Sequence, residues 1–483
     1  MGYLRYSMFK KVQGSVKSIL SQEYTRASAY YVAANIIGQG VVLLSSSVFT
    51  RLMSQEDYGL VSTYSTWVLV INTFICLNLF ITVRNAYIDF KEDYDRYNSS
   101  VLLLALISGV LITGLIVTGC MVFRVDFSIE EILFACMQSI ALNVVNYMLA
   151  VQSMKNQYKQ RALLMILPNW GHTILSIIFI LVFTQNMYMA KIAGNAFGML
   201  IFGGICIAVF IRKSALEMIP RYWKYALKIS VPSIFNTLSD LILIECDRLM
   251  LTFMVGAVET AEYSIVYNAG SIIVAIYQAV NGAWTPWFFK KVSQNDSAST
   301  KKYQTYYMLA FTVFSCGMMT IMPELIKILA PENYWRGIRY AGPIVVASYL
   351  IFLYAFFTCY LTYQKRTGVI ARNTIIVAVL NLILNYIWIP RYKSVGAVMA
   401  TVTCYLMLFF LHYFTLGKKG KDYFAIHDMW RQVGVIAVYA AVFYLTRDLW
   451  LIRYGVFLLF VVIIAARYGK EISGCINELK KDY

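Results

Sequence analysis

Charge is scarce in this chain. Only 14% of its 483 residues are Asp, Glu, Lys or Arg, against 59% hydrophobic, and the mean hydropathy is +0.62. No water-soluble domain could hide such a composition in cores of ordinary size. Histidine is scarcer still. His172, His412 and His427 lie far apart, which removes histidine-based triads and metal centres as a leading chemistry. The nine cysteines are scattered without a C-x-x-C pair and read as small apolar packing residues, so neither a metal site nor a cofactor is implied. No P-loop is present, and transport driven by ATP bound to this chain is not expected. Residues 1–26 carry Arg5, Lys10, Lys11, Lys17 and Arg26 without a continuous apolar core, so the first apolar segment is expected to act as the insertion signal, with no cleavable leader. Large external loops are missing too. The longest outer connection, Met322 to Arg339, reads "MPELIKILAPENYWRGIR", too short for an independent catalytic domain. That argues against a membrane-bound glycan polymerase or ligase, and no catalytic residue is assigned.

What the chain does have is apolar runs of about 18 to 25 residues, long enough to cross a hydrocarbon core of roughly 30 Å as helices. They lack the short in/out alternation of barrel strands. The runs predict an all-α polytopic membrane protein with spans near 27–49, 58–83, 99–123, 131–152, 162–184, 190–211, 226–254, 260–288, 304–322, 339–363, 369–389, 394–416, 430–446 and 449–467. About fourteen helices are expected, with twelve as the alternative, because the last two spans are short and Arg447, Asp448 and Arg453 crowd the turn between them. Of the 42 lysines and arginines, 31 fall in the N-terminal tail, the loops after even-numbered spans and the C-terminal tail. Ten fall in the alternate loops, and Arg248 is the one left inside a span. This bias places both termini in the cytoplasm. It also accounts for the net charge of +17 as an insertion signal facing anionic lipid, so no nucleic-acid partner is called for.

Two stretches repeat. "RLMSQEDYGLVSTYSTWVLVINTFICL" after the first span resembles "TFMVGAVETAEYSIVYNAGSIIVAIYQAV" after the seventh, and "QRALLMILPNWGHTILSIIFILVF" resembles "ARNTIIVAVLNLILNYIWIP". Spans 1–6 then map onto spans 7–12 with the same orientation, which predicts two six-helix bundles related by a pseudo-two-fold axis along the membrane normal, plus a C-terminal helix pair. The corresponding division is a tail 1–26, a bundle 27–211, a linker 212–225, a second bundle 226–416, a cytoplasmic loop 417–429, a helix pair 430–467 and a tail 468–483.

"YYVAANIIGQGVVLLSSSVFTRLMSQEDYGLVSTYSTWV" and "LKISVPSIFNTLSDLILIECDRLMLTFMVGAVETAEYSIVYNAG" resemble the openings of the two halves of Wzx-type polysaccharide-unit flippases, a branch of the multidrug/oligosaccharidyl-lipid/polysaccharide exporter superfamily. "MPELIKILAPENYWRGIRYAGPIVV" and "LNLILNYIWIPRYKSVGAVMATVTCYL" resemble its ninth to twelfth spans, so the likeness runs to about residue 416. The resemblance implies a central cavity lined chiefly by spans 1, 2, 7 and 8, and turnover of a polyprenyl-pyrophosphate-linked oligosaccharide by alternating access. It also implies a coupling proton or sodium ion and polysaccharide polymerase or assembly proteins as partners. A drug or metabolite cation antiporter of the same superfamily would share the architecture, but should favour an acidic, aromatic cavity without cationic lining.

The residues themselves offer candidates for such a cavity. On span 1, Asn35 and Gln39 lie on a polar stripe with Ser28 and Ser46; Asn72 belongs to span 2; Asn268, Gln278 and Asn281 belong to span 8. Amides can hydrogen-bond sugar hydroxyls, and equally can join helices to one another. Span 7 contains "LSDLILIECDRLM", with Asp240, Glu245, Asp247 and Arg248 in an apolar run. An ionisable group at the bilayer centre costs roughly 2.5 to 3.5 kcal/mol, so each must face water or a partner. Asp240, near the midpoint, is the coupling candidate; Asp247 and Arg248 lie nearer the outer end, and Glu245 can pair with Arg248 at i,i+3. For a pyrophosphate, Arg51 and Arg84 at the two ends of span 2 are the candidate contacts. His172 and Lys191 read as packing or interface residues.

The charge bias makes the topology testable. Reporter fusions at residues 90, 157, 297, 368 and 420 should read cytoplasmic, and those at 55, 128, 258 and 331 external; opposite labelling at 297 and 331 would overturn the segmentation.

Overall fold

The computed structural model describes residues 30, 33–35, 37–123 and 128–482, with side chains through residue 468. The expected N-terminal tail 1–26, the first residues of the 27–49 span and all but the first side chain of the 468–483 tail lie outside the described residues. Every element among the described residues is a helix. In chain order these are α1 (Ala33–Leu52), α2 (Gln55–Ile75), α3 (Val83–Asp89), α4 (Tyr94–Phe123), α5 (Ile129–Met154), α6 (Tyr158–Val182), α7 (Met187–Lys213), α8 (Pro220–Met254), α9 (Ala257–Ser293), α10 (Ser297–Leu329), α11 (Ala341–Tyr363), α12 (Thr367–Tyr392), α13 (Ser394–Thr415), α14 (Gly417–Lys421), α15 (Ile426–Thr446) and α16 (Trp450–Asp482). Thirteen are long and apolar enough to cross a membrane, and the bent pair formed by α2 and Leu79–Asp89 brings the number to fourteen. Both of the short C-terminal spans qualify, so by length and composition the described residues hold thirteen spans, or fourteen with the bent pair counted as one.

Local sequence explains where several helices start and bend. Ser128 opens α5 with a capping box: its hydroxyl accepts from Glu131 N at 3.1 Å and Glu131 Oε2 accepts from Ser128 N at 2.9 Å. Asp296 caps α10 by accepting from Ser299 N at 3.0 Å, and it also accepts from Lys291 Nζ at 2.9 Å. The lysine, then the cap, hold the Asp296 carboxyl down at about 2. A depressed carboxylate stabilises the fold above its ordinary range and stops doing so as pH falls through its folded value, so this turn should survive acid down to about pH 2.

The expected 58–83 span is not one straight helix. It breaks at Leu77 and Asn78, which adopt φ of 52° and 54°, and the two parts meet at 56°. Asn tolerates the left-handed region through its short polar side chain, whereas Leu pays steric strain there. The surroundings hold the break in place: Asn78 Nδ2 donates to Ser233 Oγ at 3.2 Å, and Tyr97 Oη donates to Thr82 Oγ1 at 2.8 Å just beyond it.

By contacts the chain forms two compact units. The first takes residues up to Val42 together with Trp67–Phe235, and the second takes Leu43–Thr66 together with Asn236 onward. In the first unit, buried Ile75, Leu79, Tyr97 and Tyr147 anchor a core to which α2 to α5, α7 and the start of α8 contribute. Beside it α6 and α7 pack backbone to backbone, because Gly194 and Gly198 stand one turn apart on the facing side of α7. A Cβ at Gly194 would lie 2.4 Å from Ser176 Cα, and one at Gly198 2.4 Å from His172 Cα. Small residues at this spacing are what allow close helix approach in lipid, where hydrophobic exclusion gives no help. In the second unit the C-terminal helix pair docks on α10: Thr320 and Tyr439 share a hydrogen bond, and Arg453, only 2% exposed, pairs with Glu324 and donates to the Arg447 carbonyl. The arginines that crowd this turn in the sequence are thus what fasten it.

A side chain at Gly194 or Gly198 would have to displace backbone. Gly194→Val should lower stability by about 1 to 3 kcal/mol, as overpacking does, seen as a lower melting temperature in lipid nanodiscs. Gly204→Ala, which meets nothing within 4 Å, should leave it unchanged.

Candidate functional site

Each unit contains a cavity. In the second unit a space of about 480 Å³ is lined by α8, α9, α11, α12 and α13. Asp240 of α8 faces it, with Ser271, Gln278 and Asn281 from α9 and a tyrosine wall of Tyr267, Tyr277, Tyr354 and Tyr405. Asp240 makes no hydrogen bond or ion pair with any described residue. A carboxylate held inside apolar helices must find water, an ion or a ligand, and this one faces open space. His412 closes part of the cavity from α13; its Nδ1 lies 3.2 Å from Asn373 Nδ2 and its ring 5.8 Å from that of Tyr354. Asp240 and His412 are the acidic and imidazole groups of the lining, and it includes neither lysine nor arginine.

Two turns further along α8 the situation reverses. Asp247 is 1% exposed and fully engaged: Tyr263 Oη and Thr401 Oγ1 donate to its Oδ2 at 2.7 and 2.6 Å, and Asn385 Nδ2 donates to its Oδ1 at 2.6 Å. It ties α8 to α9, α12 and α13. Arg248 beside it pairs with Glu245 one turn back, donates to Asn268 Oδ1 at 3.2 Å and lies 4.9 Å from the Tyr267 ring. The i,i+3 pair expected from sequence is present, and Asn268 is its third member. Asp247 with Tyr263, Thr401 and Asn385, and Arg248 with Glu245 and Asn268, are thus two polar clusters on neighbouring residues of α8.

The first unit has a smaller cavity of about 230 Å³, where Asn35 and Gln39 of α1 meet Asn146 of α5 and Asn169 of α6. The remaining sequence candidates lie elsewhere. Asn72 belongs to neither cavity lining, and its Oδ1 is buried without a hydrogen-bond partner. Arg51 donates to the Ile328 carbonyl at 2.9 Å, to the Leu329 carbonyl at 3.4 Å and to Ser47 Oγ at 2.6 Å; these are the unsatisfied carbonyls at the end of α10. Arg84 is exposed on α3 and pairs with no described residue. His172 and Lys191 are packing groups: His172 Nδ1, Ser176 Oγ and Lys191 Nζ converge on Asn195 Oδ1 at 3.2, 2.9 and 3.3 Å between α6 and α7. The resemblance implied a cavity lined chiefly by spans 1, 2, 7 and 8, so that spans 1, 2 and 8 would supply the groups around Asp240. Span 8 supplies them, but so do α11 and α13 through Tyr354, Thr401, Tyr405 and His412. The signal for those was hydroxyls and an imidazole on otherwise apolar spans.

The profile of the polysaccharide biosynthesis protein family matches residues 24–292. A probable low-salt glycan biosynthesis flippase, Agl15, of Haloferax volcanii is 28% identical over 202 residues, which is 40% of this chain and 40% of that relative. The matched part thus spans two fifths of the relative's length. Among solved structures, the lipid II flippase MurJ in an inward closed conformation superposes with TM-score 0.69 at 15% identity, covering 93% of this chain and all of that one. An inward-facing multidrug resistance transporter of the MATE family, in the MOP superfamily, gives 0.55 at 14% identity over 79% of this chain and 97% of its own. At these identities the two structures establish a shared fold.

The contrast between the two aspartates can be measured. Asp247→Leu strands the buried Tyr263 hydroxyl, at a cost of about 1 to 3 kcal/mol, and takes one of their two acceptors from Thr401 and Asn385, which keep the Ala397 carbonyl and Asn381 Oδ1; it should sharply lower the melting temperature in nanodiscs. Asp240→Leu should melt close to wild type.

Proposed function

This chain belongs to the polysaccharide biosynthesis protein family, and we propose that it is a transporter that carries a polyprenyl-pyrophosphate-linked oligosaccharide, the repeat unit of a polysaccharide, from the cytoplasmic to the outer leaflet of the cytoplasmic membrane. Alternating access of two six-helix bundles, with both termini in the cytoplasm, belongs to the same reading. The observation that carries it is a hydrogen-bonding cavity held inside membrane-spanning helices and containing an unpartnered carboxylate, Asp240, in a chain of this family. A glycan needs many hydrogen bonds to cross hydrocarbon, and the cavity offers hydroxyls, amides and phenols. Asp240 is the coupling residue. It can take up a proton or hold a sodium ion in one state and release it in another, which changes the free energy of the cavity between states. Of the two arginines, Arg84, which pairs with no described residue, is the pyrophosphate contact, whereas the guanidinium of Arg51 is taken up by the α10 carbonyls. Polysaccharide polymerase or assembly proteins are the natural consumers of the turned-over unit.

One observation favours a second reading. The cavity of the second unit is aromatic, carries one carboxylate and has no lysine or arginine in its lining, which suits a cation antiporter of the same fold. Cells decide between the two. In a strain lacking the protein, a lipid-linked oligosaccharide should accumulate on the cytoplasmic leaflet; a change in drug sensitivity alone would favour the antiporter and end the flippase reading.

In the same strain, Asp240→Asn should insert normally but restore transport roughly tenfold less well than wild type, a loss of about 1.4 kcal/mol, and with altered pH dependence. Wild-type transport by Asp240→Asn across the pH range would show that the charge is dispensable. Asn35→Leu and Gln39→Leu should also insert and transport poorly.

A further inference from the structure

We propose that the cavity of the first unit is a subsite for one uncharged sugar ring bearing hydroxyl or acetamido groups, and that it excludes phosphate and free ions. The inference rests on the flippase reading and gives that substrate's glycan a place in the chain. Four carboxamides face one space: Asn35 and Gln39 from adjacent turns of α1, Asn146 from α5 and Asn169 from α6. None of the described lining residues is ionisable. Asn35, Gln39 and Asn146 make no hydrogen bond with any described residue, and Asn169 uses only its Nδ2, which donates to the Met165 carbonyl at 3.0 Å. Pro168 also lines the space. It has no N–H to give to the carbonyl of Leu164 one turn back, so a backbone acceptor on a second lining residue lacks its usual helical donor.

The chemistry selects the ligand. A carboxamide presents two donors and an acceptor side by side, and a sugar hydroxyl, which donates and accepts at once, satisfies both. A phosphate only accepts and would leave the amide oxygens facing an anion; a cation would leave the amide N–H groups without an acceptor. Between helices in a membrane such groups are unfavourable unless water or a ligand fills the space. The rest of the wall is apolar, including Leu142, Leu149 and Met165, and suits the C–H faces of a pyranose. Size limits the ligand as well. The 230 Å³ is roughly eight times the ~30 Å³ share of a water molecule, room for about one ring. Gly38, between the two α1 amides, helps to keep the space open; a Cβ there would stop 3.8 Å from Asn169 Nδ2, so a longer side chain would project into the cavity without removing an amide.

The test is thermal unfolding of the full-length protein in nanodiscs free of sugar-headed detergent, titrated with glucose, galactose and N-acetylglucosamine and, separately, with glucuronate, glucosamine and inorganic pyrophosphate. At least one neutral sugar should raise the melting temperature by several degrees through mass action, while the charged probes need at least ~10-fold higher concentration, a difference of one decade in Kd. Asn146→Leu should weaken the neutral-sugar response about tenfold or more, and Gly38→Leu should abolish it, with the melting temperature of each variant without sugar reporting its fold. Where Asn146→Leu fails to fold, Gly38→Leu decides. No response to any neutral sugar, a response that survives Gly38→Leu, or equal stabilisation by pyrophosphate would overturn the subsite. Glycan accumulation in the deletion strain is scored separately, so a flippase without this subsite and a sugar-binding protein that is no flippase give different results.

Discussion

Everything in this structure follows from the absence of water in the hydrocarbon core. Backbone N–H and C=O groups there must be satisfied within the segment that carries them, which leaves helices as the element available to long apolar runs. The same constraint sorts the polar side chains. Each must find a partner inside the bundle, reach an interface or face a cavity.

Span 7 shows all the outcomes on one helix. Asp240 and Asp247 are seven residues apart, within about 20° of the same direction on a helix of 3.6 residues per turn, yet their surroundings are opposite. Asp247 meets a tyrosine, a threonine and an asparagine from three other helices and becomes a structural joint. Asp240 meets open space. Because burying a carboxylate with donors stabilises one arrangement of helices whereas leaving it unpartnered keeps its charge state free to change, the first suits architecture and the second suits coupling. Arg248 and Glu245 settle their own charges locally as an i,i+3 pair and engage Asn268 as a bonus acceptor.

Helix contact also has to be arranged without hydrophobic exclusion, since lipid tails are as apolar as leucine. The first unit uses glycines to bring α6 and α7 within backbone distance. The C-terminal pair uses an ion pair between buried Arg453 and half-buried Glu324, and a hydroxyl contact, Thr320 with Tyr439. Neither device needs a large apolar surface, and α16 accordingly leaves most of Trp450–Tyr468 unburied.

That the chain is built from many membrane-spanning helices was readable from the sequence, because spanning length and apolar composition are local properties of a run of residues. The pairing of Glu245 with Arg248 was readable too, since three residues along a helix is a fixed separation. The bend at Leu77 and Asn78 was not, because nothing in an apolar run containing one Asn says that Ser233, 155 residues away, will hold it open. Nor was the fate of Arg51, which depends on where the last carbonyls of α10 arrive. Asn146, Asn169, Tyr354, Tyr405 and His412 were passed over as site residues for the same reason: alone on its helix, each reads as an ordinary packing or hydrogen-bonding group, and only assembly brings them to a common space. Composition and periodicity thus determined that this chain crosses the membrane many times as helices. Which polar groups are satisfied and which are left facing a cavity was decided by tertiary structure, because a hydrogen bond between helices depends on positions that no single segment encodes.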